Sequence, residues 1–132
     1  MIQQFGLVAV GGAIGAVMRY GIGYTITANH FPWPTLLVNV VGSFMLGMLS
    51  VMAINNIVSK DAVLFLGVGL LGAFTTMSTF SLETVDLLKN DQYMMALTYS
   101  SLSFIICISC AFFGWELGLS LIHISEPTRL DG

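Results

Sequence analysis

Three sets of polar side chains stand inside stretches that are otherwise apolar. Thr35, Asn39 and Ser43 are spaced four apart, so on a helix they share one face. Tyr99, Ser103 and Cys107 repeat that spacing near the C-terminal end. Between them Thr75, Thr76, Ser78, Thr79 and Ser81 crowd together, with Glu83 following. A hydrogen bond to a neighbouring helix, worth about 0.6 to 2 kcal/mol, is a sufficient account of any one hydroxyl. Asn39 asks for more, because a primary amide deep in an apolar segment brings strong donors that must be satisfied. Taken together, the three sets read as a polar path. Its donors are hydroxyls and an amide, which suits an anion.

The elements that must hold these residues are membrane spans. The chain has 132 residues, 56% of them hydrophobic and only 8% charged, with a mean hydropathy of +0.89. Soluble domains carry about a quarter charged residues, and here the apolar residues come in blocks instead of amphipathic stripes. Crossing the hydrocarbon takes about 20 apolar residues. Four windows qualify, from about Ile2 to Thr27, Pro34 to Ile54, Ala62 to Leu88 and Tyr93 to Leu121. The breaks hold turn residues: Asn29 to Pro34, Asn55-Asn56 with Ser59-Lys60-Asp61, and Lys89 to Gln92. The expected fold class is therefore an all-α membrane protein, with residues 1–124 forming one four-helix domain. The polar tail 125–132 is a loose end or a non-native addition. The first segment lacks the basic flank of a signal peptide.

Charge placement bears on topology. One side of the membrane receives Lys60 and Arg129, the other Lys89 and Arg19. That balance gives almost no positive-inside bias, so a chain of this kind can insert both ways up and pair antiparallel. The net charge of −3 is small and scattered, which argues against nucleic acid as a partner. Cys107 and Cys110 lie inside the last apolar block and read as small packing residues. Gly11 with Gly15, Ser43 with Gly47, and Gly114 with Gly118 make small-xxx-small faces for close helix packing. In the third window Gly67, Gly69 and Gly72 precede the hydroxyl cluster, a composition that weakens a helix at mid-depth. A helix broken there would free carbonyls, tolerated in lipid only where they are buried or hold an ion.

These residues resemble the CrcB/Fluc family of bacterial fluoride channels. The likeness rests on Gly11-Gly12-Ala13-Ile14-Gly15-Ala16-Val17-Met18-Arg19-Tyr20, on Thr35-Leu36-Leu37-Val38-Asn39-Val40-Val41-Gly42, and on Gly72 through Thr84. The resemblance implies an antiparallel, dual-topology homodimer in the bacterial inner membrane, with a third span broken at its centre. It implies two fluoride pores and a structural Na+ on the dimer axis, held by backbone carbonyls at Gly72 and Thr75. By the same resemblance the fluoride path comprises Asn39, Phe80, Ser103, Thr79, Met77, Thr35, Glu83 and Tyr99, with Arg19 a vestibule or structural charge. Met77 departs from the family, which places phenylalanine there. Cys107 stands where a second serine is often found.

The implied activity is passive export of fluoride. Phe80 would offer the positive edge of its ring quadrupole, and Met77, on the same helix face, lacks one. Conduction is therefore expected to be slower than with phenylalanine at position 77. Two rival readings are weaker. A small exporter of cationic drugs needs an acid deep in the membrane, whereas Glu83, Asp86 and Glu116 fall toward helix ends. A helper subunit of a larger complex leaves the polar stripes without purpose. An enzyme is not expected, since His30 in the first loop and His123 past the last span are not placed to serve a buried nucleophile.

Overall fold

The computed structural model describes residues 1–27 and 30–125, so Asn29, Arg129 and the tail beyond Ser125 lie outside the described residues. Helix α1 spans Ile2–Thr25 and α2 spans Trp33–Ile54. The third crossing is a chain of short pieces: α3 (Lys60–Ala62), a π-helix (Val63–Leu71), α4 (Gly72–Phe74) and α5 (Met77–Lys89). Helix α6 spans Tyr93–Ser125. By length and composition four segments can cross a bilayer, Ile2–Thr25, Trp33–Ile54, Lys60–Lys89 and Tyr93–Ile124. This is a multi-pass membrane protein. Its last span runs past the expected Leu121, because Ile122 and Ile124 prolong the apolar pattern; His123 therefore lies within α6 and not beyond it.

Local sequence explains the boundaries. Helix α2 starts from Pro32 with Pro34 in its first turn, where a missing N–H costs nothing. It ends with Asn56 at φ 58°, and α5 ends with Asp91 at φ 60°, the left-handed position that Asn and Asp tolerate best after glycine. In both cases the flanking amides close back on the last turn: Ile57 N–H to the Met52 carbonyl at 2.9 Å, Gln92 N–H to the Leu87 carbonyl at 2.9 Å. The Ser59 hydroxyl caps the third crossing by accepting the Ala62 N–H at 3.1 Å.

The helices pack as two pairs. Helix α1 lies against the π-helix and α4, and α2 lies against α6. Both seams are made by missing side chains. A Cβ on Gly15 would strike the Leu70 carbonyl, and Cβ atoms on Gly47 and Gly114 would strike the carbonyls of Ala111 and Phe44. The two α2–α6 contacts are reciprocal, so backbone meets backbone from both sides. The small-residue faces thus pack within one chain. The apolar core is slight, centred on Leu36, Phe80, Leu87, Ala96 and Tyr99. Large apolar residues such as Ile105, Ile108, Phe112 and Phe113 face outward, the arrangement a lipid-embedded protein requires.

Candidate functional site

Between Phe74 and Met77 the chain leaves the helix. Thr75 (φ −85°, ψ 158°) and Thr76 (φ −151°, ψ 124°) are extended. The last helical bond before them joins the Thr75 N–H to the Leu71 carbonyl at 3.1 Å, and the Thr75 hydroxyl donates to the same oxygen at 3.1 Å. What would have been the next rungs are taken by side chains. The Thr76 N–H, due to reach the Gly72 carbonyl in a continuous helix, donates to Asn39 Oδ1 at 2.8 Å. The Ala73 carbonyl accepts from Arg19 Nε at 3.1 Å. Asn39 completes its bracket by donating from Nδ2 to the Thr76 carbonyl at 3.0 Å. One side-chain amide therefore satisfies both backbone groups of Thr76. The Thr76 hydroxyl in turn accepts the Thr79 N–H at 3.2 Å and so caps α5.

Two cavities meet at Thr76. The first, about 230 Å³, is lined by Asn39, Ser43, Thr75, Met77, Phe80, Ser103 and Cys107 among others. The second, about 440 Å³, is lined by Arg19, Thr35, Thr79 and Glu83 among others. A third, of about 630 Å³, continues from Ser43 past Ser50 to Trp115 and Glu116. The polar faces of α2, α5 and α6 thus converge on one line of cavities, with Arg19 and Glu83 toward one end and Glu116 toward the other. Tyr99 is fully buried behind that line, and its hydroxyl donates to Glu83 Oε1 at 3.0 Å. Ser103 is 7% exposed, and its hydroxyl has no partner among the described residues. A buried hydroxyl left empty costs about 1–3 kcal/mol. It is the feature of the cavity that asks for a ligand.

A model of the family described as CrcB-like protein, Camphor Resistance (CrcB), matches residues 6–115. The chain belongs to this family. The CrcB-like chain is 40% identical over 124 residues to the fluoride-specific ion channel FluC of Thermus thermophilus, an alignment covering 92% of this chain and 98% of that one. Its likeness to the FluC of Thermotoga petrophila is 44% over 116 residues, covering 84% and 91%. To the FluC of Idiomarina loihiensis it is 45% over 115 residues, covering 85% and 89%.

Most residues singled out in the sequence of this CrcB-like chain meet in space. Asn39, Thr75, Met77, Phe80 and Ser103 share the first cavity; Thr35, Thr79, Glu83 and Arg19 share the second. Gly72 stands apart on an exposed face. Phe80 and Met77 line one cavity but differ in setting: Phe80 is 6% exposed and Met77 61%. Sequence reading missed Phe104, which meets Phe80 edge-on with centroids 5.6 Å apart and planes at 87°. Nothing in its position announces it, since it sits beside Ser103 in an unbroken apolar run. Ser43 and Cys107 were legible as stripe members and both line the cavity.

Proposed function

We propose that this chain is a fluoride channel, passively exporting fluoride as an antiparallel, dual-topology homodimer in the bacterial inner membrane. The observation that carries the reading is the cavity where an unpartnered Ser103 hydroxyl, the Asn39 amide and Phe80 converge. Fluoride is small and strongly hydrated, so a pore must replace its water with donors. Ser103 has a free O–H to give. Asn39 Nδ2 carries two hydrogens and uses one on Thr76, which leaves the other for the ion. Helix α5 begins at this cavity, and its N-terminal end is electropositive. The ring edge of Phe80 carries partial positive charge as well. The second cavity, with the Arg19 guanidinium, is the entry vestibule. The fluoride-specific channels related to this chain along most of its length support the same reading.

In this reading the extended pair Thr75–Thr76 is the break of the third span. A structural Na+ suits its backbone: the Gly72 carbonyl has lost its helical donor to Asn39, and hard carbonyl oxygens at an exposed glycine are the donors such an ion takes. Gly72 and Thr75 would hold it, and it would supply positive charge near the anion path and pin two copies together. Gly72 and Met77, on either side of the break, are both exposed and so accessible to a second copy.

The test is fluoride release from liposomes loaded with fluoride, with chloride as control. Rapid release of fluoride and retention of chloride is the expected outcome. A folded protein that releases neither, even as Met77→Phe, would overturn the assignment.

A further inference from the structure

Two sulfur-bearing side chains line the anion cavity, and they arrive there from different elements. Met77 comes from the first turn of α5, and Cys107 from the middle of α6. Cys110, one turn further along α6, does not line this cavity. Cys107 is a free thiol, partly buried, and Met77, whose long, unbranched side chain adapts readily, lines the same cavity from the facing element. One turn before Cys107 on the same wall stands Ser103, 93% buried by its 7% exposure, with its hydroxyl unpartnered. Thiolate and thioether are the soft ligands that select monovalent copper or silver over the hard cations of the cytoplasm.

We propose that this cavity binds a thiophilic monovalent cation of the copper(I) class, through Cys107 Sγ and Met77 Sδ, and that the bound metal closes the anion path. Binding replaces the thiol proton, which leaves to water, with the metal. The thiolate–metal unit is then neutral, so it sits in a partly apolar cavity without an uncompensated charge. The Ser43 hydroxyl, already paired with the Cys107 side chain, can donate to the thiolate sulfur, while the unpartnered Ser103 hydroxyl lines the same wall. The polar route at this depth runs past Asn39, Ser43 and Ser103, so an occupied sulfur pair stands in the way of the ion. The blocking half of the inference rests on the channel reading; the binding half does not.

The experiment is an anaerobic titration of the purified full chain with copper(I) against a colorimetric copper(I) chelator, followed by fluoride efflux with and without one equivalent of metal. We expect one tightly held equivalent per chain. Cys107→Ser and Cys107→Ala should both lose it, Met77→Leu, which removes a direct ligand, should weaken it by more than the roughly tenfold that loss of an outer-shell partner costs, and Cys110→Ser should keep it. Efflux should stop on loading, recover when the chelator is added, and in Cys107→Ser be indifferent to copper. Tight binding unchanged in both Cys107 variants, or lost in Cys110→Ser, would overturn the site. Binding that leaves efflux running would overturn the block. A chain that binds copper but releases no fluoride even without it would tell against the channel assignment, with the metal site intact.

Discussion

Up to Phe74 the third span lies against α1, backbone to backbone; from Met77 onward its neighbour is α6, reached through side chains. The first half is apolar and wound as a π-helix over Val63–Leu71, with Gly67 and Gly69 buried in it. The second half carries Ser78, Thr79, Ser81, Glu83 and Thr84. One half is positioned by steric fit, which admits no adjustment. The other is positioned where it starts by the Asn39 bracket and the Thr76 cap, and beyond that by side chains: Phe80 and Leu87 in the core and the Tyr99 hydroxyl on Glu83. A span that changes partners at two extended residues can hold a rigid seam and a polar wall in one segment. Wider π turns inside helices commonly mark functional sites, and here the π-helix ends one short turn before the cavity.

The largest expected effect is on the rigid half. Gly15→Leu drives a side chain into the Leu70 carbonyl, so the protein should lose ~1–3 kcal/mol or more and fail to give a monodisperse peak in detergent. Gly21→Ala, on the same helix with nothing near its Cβ, should be neutral or stabilising by ~0.5–1 kcal/mol in thermal melts. Equal damage from the two would erase the distinction between seam and open face. Next comes the bracket. Asn39→Leu strands both backbone groups of Thr76, at a cost of about 1–3 kcal/mol, and fluoride efflux should fall by roughly tenfold or more. A variant with wild-type melting but slow efflux would move Asn39 from support to ion contact alone.

Smaller effects sharpen the polar half. Met77→Phe adds a ring edge to the first cavity, and an aromatic contact worth ~0.5–1.5 kcal/mol corresponds to efflux faster by roughly two- to tenfold. Equal or slower efflux would count against a role for the ring. Ser103→Ala should separate stability from transport. Removing a hydroxyl that has no partner should leave the melting point unchanged or raise stability by up to ~1 kcal/mol, while efflux drops. If stability fell instead, the hydroxyl would be serving the fold.

Much of this was legible in the sequence because lipid is an unforgiving solvent. Four apolar windows give four spans, with ends within a few residues of those observed, since turn residues such as Asn56 and Asp91 sit where the chain must go left-handed. The stripes of α2 and α6 could be read from spacing alone; the first cavity joins Asn39 and Ser43 to Ser103 and Cys107, while Thr35 lines the second and Tyr99 neither. Other features left no signal. The π-helix arises in Val-Leu-Phe-Leu-Gly-Val-Gly-Leu-Leu, a string that as readily predicts an ordinary α-helix. Spacing puts Asn39 on the polar face but cannot reveal that its amide brackets Thr76, a residue 37 positions away. Arg19 was legible as a charge near a helix end; its bond to the Ala73 carbonyl depends on how closely Gly15 lets α1 approach.

The contact of α2 with α6 through Gly47 and Gly114 works as a caliper. Its jaws close on bare backbone at Ala111 and Phe44 and cannot be compressed. The separation of the two helices one turn away, where Ser43 and Cys107 line the first cavity, is therefore gauged by glycines outside that cavity. A single methyl group added at the jaws would push the helices apart there, so the width of the cavity is written in side chains the protein does without.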